Sequence, residues 1–87
     1  MTEDIGKTVY EFALNSLVAD CIREYTVKNA IYKDAWLEMD IEQLKQIVKG
    51  EAGKLAATEE LDFLIHRIID LANYSIFLYA QVKKETG

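Results

Sequence analysis

The sequence contains no proline and only four glycines, at positions 6, 50, 53 and 87. A chain of many short strands needs frequent turn residues, so this scarcity argues against a sandwich or barrel and for a few long helices. There is one cysteine, Cys21, and one histidine, His66. A lone thiol forms no intrachain disulfide and no cysteine-based zinc site, which suits a reducing cytoplasm. Basic residues are the minority, 10 against 15 acids for a net charge of −5 and no basic block. Nucleic-acid grooves carry basic patches, so direct DNA or RNA binding is not expected. The oiliest stretch, residues 63–82, is interrupted by His66, Arg67, Asp70 and Asn73, too many polar groups for a lipid-facing span. The acidic start Met1-Thr2-Glu3-Asp4 lacks the pattern of a signal peptide.

What is present fits one small globular domain over residues 1–87, with 51% hydrophobic and 29% charged residues. The reading is an all-α chain of three helices, at about 4–28, 40–57 and 59–84. In the first, Tyr10, Leu14, Leu17, Val18, Cys21 and Tyr25 recur at helical spacing, with Thr2 or Asp4 as candidate caps. Thr26, Val27 and Asn29 weaken its end, and an aromatic, charged connector, residues 32–36, follows. Asp40 and Gln43 form a capping-box pattern ahead of an apolar face of Ile41, Leu44, Ile47, Val48 and Leu55. Gly50 and Gly53 fall inside this helix; they either weaken it, by about 1 kcal/mol each, or admit a neighbouring backbone. Continuity is the favoured reading. Thr58 is the expected cap of the third helix, with Glu59 and Glu60 in its first turn and Lys83 and Lys84 at its end.

The third helix is the most apolar. Leu61, Leu64, Ile65, Ile68, Ala72, Ile76, Tyr79 and Val82 spread around more than half of its surface. Such a helix needs neighbours on several sides, more than a three-helix monomer supplies. An oligomeric helical bundle, a dimer or tetramer, is the expected assembly.

The same helix carries a polar stripe. Glu59, Asp62, His66, Asp70 and Asn73 fall within an arc of roughly 80° at 100° per residue. The simpler reading is a solvated face with ordinary ion pairs. The sharper one is a divalent-metal or phosphate site, since Mg²⁺ takes carboxylate oxygens and phosphate, and a histidine suits Mn²⁺ better. On the second helix, Glu51 and Lys54 are either a surface ion pair or a metal carboxylate and a phosphate-binding lysine. Asp20 and Glu24 on the first are further candidate carboxylates, more simply exposed. In the connector, Tyr32 and Trp36 either plug the bundle or stack on a nucleobase, with Asp34 placed to bond a base or sugar. No glycine-rich phosphate loop occurs. Cys21 reads as a small core residue.

Two short motifs, Tyr32-Lys33-Asp34-Ala35-Trp36 and Asp70-Leu71-Ala72-Asn73-Tyr74, resemble those of the nucleotide modification associated domain 1 family of phage and prokaryotic nucleotide metabolism. More loosely, residues 25–82 resemble the MazG-like and dimeric dUTPase-like all-α nucleoside triphosphate pyrophosphatases. The resemblance implies a dimeric or tetrameric bundle that holds Mg²⁺ or Mn²⁺ against a nucleotide. Metal-activated water then splits a (deoxy)nucleoside triphosphate into monophosphate and pyrophosphate. On this reading Glu51, Glu59, Asp62, His66 and Asp70 form the metal set. Lys54, Tyr32, Asp34, Trp36 and Asn73 bind the nucleotide. The alternative is a non-catalytic nucleotide-binding or oligomerising module with a degraded metal site. The acid pattern departs from the pyrophosphatase group: Lys54 stands where a second acid belongs, and Glu51 and Glu59 are closely spaced.

Overall fold

A computed structural model describes the backbone of residues 2–87 and the side-chain environments of residues 4–87. Three helices run in chain order: α1 over Thr2–Tyr32, α2 over Ile41–Ala56 and α3 over Leu61–Thr86, with a 3-10 turn at Ala35–Glu38 between the first two. The three-helix expectation holds. The Thr2 capping candidate lies outside the described side chains. Asp4 sits inside α1 instead of capping it, and its carbonyl accepts a bond from the Thr8 hydroxyl.

α1 outruns its expected end by one turn. The weak formers Thr26, Val27 and Asn29 cost only tenths of a kcal/mol each, and nothing there breaks a helix. The helix stops where Lys33 and Asp34 turn left-handed, at φ of 49° and 60°. That conformation costs about 1–2 kcal/mol for an ordinary residue. Asn29 offsets it, because its side-chain oxygen accepts the Asp34 backbone N–H at 2.6 Å. The connector is thus a stitched turn.

α2 begins as its capping box demands. Asp40 accepts from the Gln43 N–H at 2.8 Å and donates its own N–H to the Gln43 side chain at 2.9 Å. Gly50 and Gly53 lie in unbroken helix, and a Cβ at either would meet nothing within 4 Å. The glycines therefore admit no close backbone. α3 starts two residues later than expected, with Glu60 as a cap whose side chain makes no capping bond. Thr58 instead closes α2, its hydroxyl donating to the Lys54 carbonyl at 2.7 Å. Glu59 and Glu60 consequently precede the helix rather than occupy its first turn.

α2 and α3 form a hairpin closed at one end by residues 57–60. At the other end Gln81 Nε2 donates to the carbonyls of Leu37 and Met39 at 3.2 and 3.3 Å. Leu44 and Ile69 are buried in the hairpin. α1 runs opposite to α3 and meets it over its second half, where Asn73 Nδ2 donates to the Cys21 carbonyl at 3.2 Å and Lys28 reaches Asp70 at 3.1 Å. Of the face expected on α1, Cys21 is buried and Leu17 and Tyr25 are half-buried, while Tyr10, Leu14 and Val18 are exposed.

The chain is open for its size. Its radius of gyration is 14.8 Å, where about 12 Å is usual for this length. Its longest dimension of 46 Å is about the length of α1 alone at 1.5 Å per residue. Among the described residues the buried apolar side chains are Cys21, Leu44 and Ile69. No helix among the described residues is long and apolar enough to cross a membrane.

Candidate ligand pocket

Where α1, the connector and α3 meet, a cavity of about 330 Å³ opens. Five of the ten site residues that the family resemblance implies line it: Tyr32, Asp34, Trp36, Asp70 and Asn73. Tyr32 comes from the last residue of α1, and three devices place the others. The stitched turn after α1 presents Asp34. The 3-10 turn, held by Gln81, presents Trp36. The α1–α3 crossing brings in Asp70 and Asn73.

Aromatic walls surround these groups. Trp36 stacks on Phe77, ring centres 4.7 Å apart and planes within 8°. Tyr25 and Tyr74 meet Phe77 edge-on at 5.9 and 5.7 Å. Trp36 therefore does pin the connector to the bundle, as the plug reading expects, and it lines the cavity as well.

The polar groups are coupled in pairs. The Tyr25 hydroxyl donates to the Asp34 carboxylate. That bond holds the phenol pKa above its ordinary value, because ionisation would place two negative charges together. The Trp36 indole N–H opposes this rise, while burial and the Asp34 charge add to it. The same N–H is buried and has no well-formed hydrogen bond.

One turn along α1, Lys28 lies between Asp70, at 3.1 Å, and Glu24, at 3.4 Å. Burial disfavours the ammonium, but the two carboxylates outweigh it and raise the lysine pKa. Among the described residues Lys28 is the only cation lining the cavity, and it is matched by two acids. With Asp34 added, the mouth is net negative.

The other five sequence candidates lie elsewhere. Glu51 pairs with Lys54 at 3.3 Å on α2; the carboxylate is largely covered and the lysine is exposed. Glu59, Asp62 and His66 are exposed. Among the described residues no three of His, Cys, Asp or Glu gather where they could hold a metal. Asp20 pairs with Arg23 at 2.9 Å. Cys21 is buried, and burial, with the nearby Asp20 charge, raises its thiol pKa. Such a thiol is unreactive at neutral pH.

Sequence reasoning missed Lys28 and Asn29, and it assigned Tyr25 only to an apolar face. The local signal was present: Glu24, Lys28 and Tyr25 share the last turns of α1, just before an aromatic connector. Comparison with known protein families, with curated proteins and with solved structures finds no match to this chain.

Proposed function

We propose that this chain is a cytoplasmic nucleotide-binding helical module that works as a homo-oligomer, with the nucleoside end of its ligand in the cavity between α1 and α3. The observation that carries the reading is the meeting of Tyr32, Asp34, Trp36, Asp70 and Asn73, from distant parts of the chain, around one cavity of about 330 Å³. That volume lies at the lower end of small-molecule sites and suits a base with its sugar. The exposed Tyr32 and the half-buried Tyr74 offer aromatic faces for stacking. Asp34 accepts hydrogen bonds from a base N–H or sugar hydroxyl. Asn73 spends its amide N–H on Cys21 and keeps its oxygen as an acceptor. Because Lys28 is neutralised by Asp70 and Glu24, the cavity does not attract a bare triphosphate. The phosphates belong at the rim, facing water.

This favours the binding module over the pyrophosphatase. Hydrolysis needs Mg²⁺ or Mn²⁺, and Glu51, Glu59, Asp62, His66 and Asp70 do not form one ligand set within a chain. No catalytic step is therefore assigned to them. The fold supports likeness to the MazG-like group only at the level of an all-helical bundle.

Trp36 is the single tryptophan and lines the cavity, so its fluorescence reports occupancy directly. Titration with nucleosides, monophosphates and triphosphates, with and without Mg²⁺ or Mn²⁺, should change its emission saturably for at least one base. Asp34→Ala should weaken that response about tenfold, the value of one charge-assisted hydrogen bond. No response to any base would overturn the reading. Metal-dependent pyrophosphate release, abolished by Asp62→Ala, would restore the hydrolase.

A further inference from the structure

A second cavity, of about 310 Å³, adjoins the first along α1 and α3. Val18, Ile22 and Ile76 form its exposed rim, and Cys21 and Phe77 lie deeper. Its one polar side chain is Asn73, apart from the hydroxyl of Tyr25 and the N–H of Trp36, and the Asn73 amide is already given to the Cys21 carbonyl. Water in such a groove finds few partners, whereas an apolar surface removes all three rim residues from water at once.

The exposed area of the whole chain favours a second copy as the occupant. A compact monomer of 10.0 kDa exposes about 5,200 Å². This chain exposes 6943 Å², about 1,700 Å² more by that scaling. A standard interface takes about 800 Å² from each partner. The excess is about twice that figure and falls within the roughly 1,000–2,500 Å² that each protomer of an obligate homodimer gives up, and it recurs on every copy. The groove is itself a self-complementary candidate, since a two-fold axis places the same patch on both sides.

We infer that a second copy of this chain seats on the groove between α1 and α3, centred on Val18, Ile22 and Ile76, and that this seat is linked to the ligand cavity. The link lies in the wall. Tyr25, Trp36, Asn73 and Phe77 line both cavities. A partner packed against these side chains in one cavity fixes their position for a ligand in the other. Ligand and partner then strengthen each other's binding by the same factor. The seat stands on its own observations, and only the linkage rests on the nucleotide reading above.

The test is the mass of the full chain by sedimentation equilibrium across micromolar concentrations. The wild type should be at least dimeric. Ile22→Asp and Ile76→Asp should each weaken association about 100-fold or more, the loss expected of a central apolar contact. Both side chains are more than half exposed, so the helices should persist by circular dichroism. If either aspartate lowers helicity, Val18→Ser is measured in the same way. Ile65→Asp, equally exposed on α3 but outside the groove, should associate as the wild type. A monomeric wild type overturns the seat. So do groove variants that associate normally while Ile65→Asp does not. Repeating the measurement with a nucleoside that changes Trp36 emission tests the linkage. Tighter association supports it, and binding with unchanged association overturns it. If no nucleoside binds, the ligand reading and the linkage fall together, and the mass data still decide the seat.

Discussion

Asp62 and Asp70 lie on the same face of α3, two turns apart, yet their surroundings differ. Asp70 meets Lys28 of α1 and lines a cavity with five aromatic side chains from α1, the connector and α3 among its walls. Asp62 is exposed, like His66 one turn along. The difference comes from α1, which crosses α3 at Cys21 and Lys28 and does not reach the start of the helix. A periodic stripe of acids thus places candidate groups on one face. A second element has to cross that face before a site exists.

The largest break in this contrast should come from Phe77→Ala. Phe77 touches Tyr25, Trp36 and Tyr74, so its loss removes the centre of the aromatic wall. Destabilisation of about 3 kcal/mol is expected in urea melts. Asn73→Ala follows. It deletes the α1–α3 bond and leaves the Cys21 carbonyl without that donor, at a cost of about 1–3 kcal/mol by the same assay. Gly50→Ala and Gly53→Ala, in open space on α2, should each stabilise by about 1 kcal/mol. Asp62→Ala and His66→Ala should change stability by less than about 0.5 kcal/mol.

Alkaline pH separates the two regions by charge. Tyr25 and Lys28 both have raised pKa values in the folded chain. Each binds its proton more tightly when folded. Their contribution is complete below the ordinary Tyr and Lys values, near 10 and 10.4. It is lost as pH rises through the higher folded values. Stability should therefore fall above about pH 10, and ultraviolet absorbance should show the Tyr25 phenol ionising above its ordinary value. Asp34→Asn should bring that phenol down, since it removes the negative charge the phenolate opposes.

Much of this architecture was legible in local pattern. The Asp40–Gln43 box and the two glycines in α2 read correctly because capping and propensity act within one turn. The end of α1 was missed because Asn29 looks like a weak helix former by propensity. Its side chain in fact stabilises the Asp34 turn five residues on. Thr58 has the chemistry of an N-cap but back-bonds to Lys54, ending one helix rather than starting the next. The site was half legible. Tyr32, Asp34 and Trp36 are near in sequence, and Asp70 and Asn73 share a helix face. Lys28 and Asp70 are 42 residues apart, and a pairing fixed by the crossing of two helices leaves no periodic trace.

Backbone amide NMR during nucleoside titration tests the central claim most directly. The account predicts shifts at Asn29, Asp34, Trp36, Asn73 and Tyr74, with Asp62 and His66 unmoved. Shifts confined to the first turns of α3, around Asp62 and His66, would contradict it.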